Sequence, residues 1–213
     1  MKKSLYNLNL LQTICITCTV VSPIVASKLI DLHFSLFGVS ASVPGSALIY
    51  AFIFVLSNMI SEGYGQKRAS VTAVYGFVCQ IVATVLLMII QVLPTSNDSL
   101  QSAYVAVLGS NIVFTVSGIL TYVASQSCNI WLYNKIKVYK HSSLANAVSA
   151  SISQLLDTVL FLGLSYGLML RWFMKSETSI QLVVMMLSQY IIRMFVTFLI
   201  SPIFHLVIKS HKK

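Results

Sequence analysis

Long apolar runs, broken at short intervals by turn-forming residues, organise this chain. Apolar residues persist on most faces over six stretches: about Leu10 to Ile30, Pro44 to Ser61, Ala69 to Leu93, Tyr104 to Leu132, Leu144 to Leu170 and Ile180 to Ile208. Crossing the hydrocarbon core of a bilayer takes about 20 apolar residues in a helix. The pattern therefore predicts six transmembrane helices. Strict alternation of apolar and polar residues, the mark of a membrane barrel strand, does not run through these stretches. The connections carry turn chemistry at Val43-Pro44-Gly45, at Leu93-Pro94-Thr95-Ser96-Asn97-Asp98 and at Lys175-Ser176-Glu177-Thr178. No linker is long enough to separate domains. The expectation is an all-α protein: one six-span bundle over residues 1–213.

Composition agrees. The chain is 57% hydrophobic and 9% charged, against about 25% charged in an average soluble domain. That is too little charge to cover a water-soluble globule of this size. A soluble enzyme, a secreted disulfide module and a disordered chain are all poor fits. The charges are also lopsided, with 14 Lys+Arg against 5 Asp+Glu. Lys2 and Lys3 precede the first run, and Lys67 and Arg68 follow the second. Lys135, Lys137 and Lys140 follow the fourth, and Lys209, Lys212 and Lys213 follow the last. The opposite loops hold only Arg171 and Lys175. Basic loops stay in the cytoplasm, so both termini are expected there. Lys2-Lys3, an apolar run and Ala26-Ser27 imitate a signal peptide, but the run is too long for one and more spans follow. An uncleaved first helix is expected.

Several motifs carry little chemistry. Cys15 and Cys18 form a C-x-x-C inside an apolar helix with no second pair, and read as small apolar filling. His33, His141, His205 and His211 stand at unrelated spacings, without a zinc pattern. There is no P-loop and no nucleophile beside a base. The chain is expected to be no enzyme, with no metal, no cofactor and no nucleic-acid partner.

What remains is a set of polar residues at membrane depth, where burial is expensive and commonly tied to function. Asn58 and Glu62 lie four apart, on one helix face. Gln126 and Asn129 are three apart, as are Gln154 and Asp157. Asn146 lies eleven residues before Asp157, nearly in phase with it. Gln189 and Arg193 are four apart, and Lys28 closes the first run. Ser125-Gln126-Ser127-Cys128-Asn129 is echoed by Ser153-Gln154-Leu155-Leu156-Asp157, which suggests equivalent polar faces on the fourth and fifth spans. Any single Asn or Gln could be helix–helix glue. Asp157 lies about midway along its run, too deep to reach the interface, so it requires a partner or a polar ligand. Arg193, midway along the last run, is its natural partner. Carboxylates, amides and flanking rings (Tyr122, Trp131, Phe161) suit a flat, nitrogen-rich molecule, and equally a positively charged amine.

At these residues the chain resembles the queuosine precursor transporter family. The end of the second run reads Ser57-Asn58-Met59-Ile60-Ser61-Glu62-Gly63-Tyr64-Gly65-Gln66-Lys67-Arg68. The fifth reads Ser153-Gln154-Leu155-Leu156-Asp157-Thr158-Val159-Leu160-Phe161, preceded by Asn146. Lys28, Gly45, Arg193 and Ser201-Pro202 fit the same pattern. There are departures: Asn58 and Asn129 stand where Asp is common, Ala51 replaces a frequent Pro, and Ala145 an Arg. The resemblance implies a multi-pass protein of the bacterial inner membrane, similar to the substrate-binding components of energy-coupling-factor vitamin transporters. It implies import of 7-deazaguanine bases, whether a queuosine precursor or queuine itself, for transfer RNA modification. The substrate-binding residues would be Asn58, Glu62, Gln126, Asn129, Asn146, Gln154 and Asp157, with Arg193 and Lys28 balancing charge. Beside this stand a capture component that needs a separate energising subunit, a carrier for another small polar solute, and an intramembrane enzyme acting on a lipid.

Overall fold

The computed structural model describes residues 8–36, 38–137, 142–171 and 176–211. It is mainly helical. Helix α1 (Leu8–Ala26) is followed by a two-stranded hairpin, β1 (Leu29–Leu36) and β2 (Val39–Pro44). Then come α2 (Ser46–Tyr64), α3 (Gln66–Val92), α4 (Asp98–Leu108), α5 (Asn111–Lys137) and α6 (Ser142–Leu162). A seven-residue π-helical segment (Gly163–Met169) extends α6, and α7 (Ser176–His211) closes the order.

Among the described residues, five helical stretches are long and apolar enough to cross a membrane: 8–26, 66–92, 98–125, 151–169 and 179–196. Helix α3 shows why these faces suit lipid. Its buried residues are Ala69, Thr72, Gly76, Gln80 and Thr84, all small or polar and three or four apart. Val74, Val78, Ile81, Val85, Leu86 and Ile89 are exposed instead. An apolar outside around a polar inside is the reverse of a soluble helix, and is favourable only where the surroundings are hydrocarbon.

Four boundaries differ from the sequence pattern. The first apolar run does not stay helical to Ile30: α1 ends at Ala26 and β1 begins at Leu29. Period-two alternation explains the change, with Asp31, His33 and Ser35 set between Ile30, Leu32, Phe34 and Leu36, and again through Val39-Ser40-Ala41-Ser42-Val43. Gly38, at φ +78°, lies in the turn. The backbone N–H of Gly45 then donates to the Lys28 carbonyl at 2.8 Å, closing the base of the hairpin. The fourth run is divided at Gly109 and Ser110 into α4 and α5. Asn97 caps α4 by accepting from the Leu100 N–H at 3.1 Å, so a helix begins well before Tyr104. The fifth run leaves α-geometry at Gly163.

The chain forms two compact units. The first holds α1 to α4 and the end of α7 from Phe195. Leu11, Cys15, Leu56, Ile60 and Ala69 form its apolar core, so Cys15 does serve as filling. Gln12 Nε2 donates to Thr72 Oγ1 at 2.8 Å, tying α1 to α3. One turn along, Gly76 permits close approach: a Cβ there would stand 3.1–3.3 Å from Thr19 atoms. Gly65 alone separates α2 from α3, at φ +92° and ψ +152°. That conformation is almost restricted to glycine, which gives a physical reason for the Gly that ends Ser61-Glu62-Gly63-Tyr64-Gly65. The second unit holds the hairpin, α5 from Ile112, α6, the π segment and α7 as far as Met194.

Candidate functional site

The second unit contains a polar interior built by three helices. Along α5 the buried positions include Ser117, Thr121 and Ser125, spaced by four and hence on one face. Helix α6 buries Ser153, Gln154, Asp157 and Thr158, and α7 buries Ser188, Gln189 and Arg193. Both ionisable residues lie within apolar stretches, at 151–169 and 179–196.

Ser125, Thr158 and Arg193 gather around the Asp157 carboxylate. Arg193 Nη1 donates to Asp157 Oδ2 at 2.5 Å and to Thr158 Oγ1 at 3.2 Å. Ser125 Oγ donates to Asp157 Oδ1 at 3.2 Å. The Thr158 hydroxyl in turn donates to the Gln154 carbonyl at 2.9 Å, which fixes it as an acceptor for the guanidinium. Side-chain exposure is 1% for Arg193 and 11% for Asp157. An isolated charge at such a place costs several kcal/mol, roughly. The pair is neutral as a unit, with Asp157 from α6, Arg193 from α7 and the Ser125 hydroxyl of α5 beside it. The pairing expected from depth alone is present.

Other buried polar atoms are not matched. Gln189 is fully buried, and neither its Oε1 nor its Nε2 has a hydrogen-bond partner among the described residues. The same holds for Gln154 Oε1 and Thr121 Oγ1. Buried polar groups in native proteins are nearly always satisfied, so each such atom calls for an explanation. Aromatic rings line the same unit. Phe114 lies 6.3 Å from Phe161 and 5.3 Å from Tyr166, centroid to centroid. The ensemble offers a neutral ion pair, amides that can both donate and accept, a hydroxyl, and ring faces.

Of the expected site residues, the structure brings Asp157 and Arg193 into direct contact and places Gln154 one turn before Asp157. Lys28, directly before β1, has an exposed side chain. Asn58 and Glu62 are on α2, Gln126 and Asn129 on α5, and Asn146 on α6. The side chains of these five lie outside the described residues. Gln189 and Thr121 were not among the residues expected to bind substrate. The four-residue spacing of Gln189 from Arg193 was the available signal. Thr121, one hydroxyl in an apolar run, gave none. Among the described residues, no group of three His, Cys, Asp or Glu could hold a metal ion.

Comparison with known proteins adds a family. Residues 44–207 match the family described as "Putative vitamin uptake transporter". The chain is also 26% identical, over 136 residues, to a Bacillus subtilis (strain 168) protein named "Probable queuosine precursor transporter". That alignment covers 62% of this chain, and the chain spans only 58% of the relative's length. No solved structure matches.

Proposed function

The chain belongs to this vitamin uptake transporter family, and from that premise we propose that it imports 7-deazaguanine bases, the precursors of queuosine, across the bacterial inner membrane for transfer RNA modification. Six spans with both termini in the cytoplasm complete the reading, with α2 (Ser46–Tyr64) as the span beyond the five apolar stretches. At 19 residues, α2 is long enough to cross. The charge alternation along the loops supports the orientation, and 1–213 is then one transporter domain.

One observation carries the reading. The Asp157–Arg193 pair is buried within apolar helices, in a unit where Gln189, Gln154 Oε1 and the Thr121 hydroxyl have no hydrogen-bond partner among the described residues. A packing interface has no need of unpaired amides, whereas a site for a flat polar solute does. In this reading Asp157 and Gln154 meet the base, with Gln126, Asn129 and Asn146 on the same helices completing its recognition and Arg193 holding the carboxylate in place. Asn58, Glu62 and Lys28 enter on their motif positions alone. The B. subtilis relative's name supports the substrate class.

Proteoliposomes containing the purified chain, assayed for accumulation of a radiolabelled 7-deazaguanine base, test the proposal. Saturable uptake that is competed by unlabelled base is expected, and uptake indistinguishable from empty liposomes would sink it as stated. Binding without uptake would instead identify a capture component that requires an energising subunit.

A further inference from the structure

The first unit contains a second set of buried polar atoms, between α1 and α3. Two contacts fix how these helices lie against each other. Gln12 on α1 meets Thr72 on α3, and Thr19 packs on Gly76, so the two helices advance in the same direction. One turn further on, Ser22 follows Thr19 and Gln80 follows Gly76. Ser22 and Gln80 therefore stand at one level, each on the buried face of its helix. Both are 1% exposed. Ser22 Oγ, Gln80 Oε1 and Gln80 Nε2 have no hydrogen-bond partner among the described residues.

Local geometry gathers oxygen at this level. Gly76 lets the two backbones approach, since a Cβ there would stand 3.1–3.3 Å from Thr19 atoms. The Cα–Cβ bonds of a helix tilt toward its N-terminus, so Ser22 and Gln80 both lean back toward that close contact. The Thr19 carbonyl points the other way along α1, toward residue 23, and residue 23 is proline. Pro23 has no N–H to give it. Two neutral side-chain oxygens thus share a level with a main-chain carbonyl released from its helical donor. Neither α1 nor α3 contains an Asp or Glu. Ca²⁺ and Mg²⁺ draw on carboxylates to offset their charge, so neutral oxygens suit a singly charged cation. Carbonyls freed where a membrane helix is interrupted are a recurring place for such ions in transporters.

We propose that Ser22, Gln80 and the Thr19 carbonyl form a binding site for a monovalent alkali cation, with sodium as the ion to test. Gln80 binds through Oε1, and the Ser22 hydroxyl turns a lone pair to the ion. Pro23 is part of the site, because it removes the N–H that would otherwise occupy the carbonyl. The proposal is independent of the transported base, since ion binding is measured without uptake.

The test is equilibrium binding of radioactive Na⁺ to the full chain purified in detergent, with choline chloride holding ionic strength constant. Saturable binding is expected, and NaCl in excess should raise the melting temperature by about 3 °C or more over choline chloride. Gln80→Met keeps the length of the side chain and removes both polar atoms. Its sodium affinity is expected to fall at least about tenfold, while its melting temperature in choline stays at or above that of the wild type, because no buried amide is left unpaired. A merely structural glutamine gives the opposite pair of results, a lower melting temperature in choline and an unchanged sodium affinity, and that overturns the proposal. If Gln80→Met does not fold, Ser22→Ala decides: an affinity at least about threefold weaker supports the site, and an unchanged one overturns it. Wild-type protein that shows no saturable sodium binding also overturns it, since ordered water at this level would satisfy the same atoms without any dependence on the ion.

Discussion

Replacing Arg193 by Met strips the countercharge from Asp157 while keeping an unbranched side chain of similar reach. Two hydrogen bonds go with it, one to the Asp157 carboxylate and one to the Thr158 hydroxyl. Of the partners described here, Ser125 would be left holding the carboxylate. With exposures of 1% and 11% in the pair, water cannot readily replace the guanidinium. Removing one partner of a buried ion pair costs about 3–5 kcal/mol, because the remaining charge is stranded. That is a large share of a total stability of about 5–15 kcal/mol. The double variant Arg193→Met/Asp157→Asn strands no charge, and is expected to recover most of the loss, to within about 1–2 kcal/mol of wild type. The second substitution thus restores about 2–3 kcal/mol of what the first removes. Denaturation in mixed micelles, followed by circular dichroism for the wild type, both single variants and the double, measures every corner of the cycle. The reasoning fails if Arg193→Met loses less than about 1 kcal/mol, or if the double variant is no more stable than Arg193→Met. The same proteins separate folding from function: the double variant is expected to be stable and yet defective in base uptake.

Three further outcomes follow from particular contacts. Gly76→Val puts branched carbon against Thr19 where a Cβ alone would stand at 3.1–3.3 Å; it should cost about 1–3 kcal/mol in the same unfolding assay, with partial recovery when combined with Thr19→Ala. Gly65→Ala forces a side chain into φ +92° and ψ +152° at the α2–α3 corner, for a loss of about 1–3 kcal/mol; a variant as stable as wild type would show that the corner relaxes freely. Glu62→Gln tests the motif position on α2: at least a tenfold fall in base uptake with unchanged membrane abundance is expected if Glu62 binds substrate, and unaltered uptake would remove it from the site.

The helices were legible because lipid imposes a single rule, a sustained apolar surface, that survives without knowledge of neighbours. The hairpin was not, although Ile30 to Leu36 alternates with period two. Its apolar members continue the run of α1, and short alternation is easily absorbed into a longer apolar stretch. The break at Gly109 and Ser110 falls inside a run that stays apolar on both sides. The π segment from Gly163 buries Ser165 and Tyr166 within an apolar run whose pattern gives no sign of the change. The site shows the same division. Asp157 and Arg193 could be paired from the sequence because charges at mid-membrane depth have few alternatives. Gln189 could not be placed, since a buried glutamine bonded to a neighbouring helix and one without such a bond are spelled identically. Only the positions of the surrounding polar atoms tell them apart.

The central claim is that this chain brings a 7-deazaguanine base into the cell. The most direct measurement is the queuosine content of transfer RNA in a strain that can neither make nor import the base, grown at limiting external base and expressing this chain. Modified transfer RNA is expected with the wild-type chain and a marked loss with the Arg193→Met/Asp157→Asn variant at equal membrane abundance. Transfer RNA that stays unmodified while the wild-type chain is present in the membrane would contradict the claim.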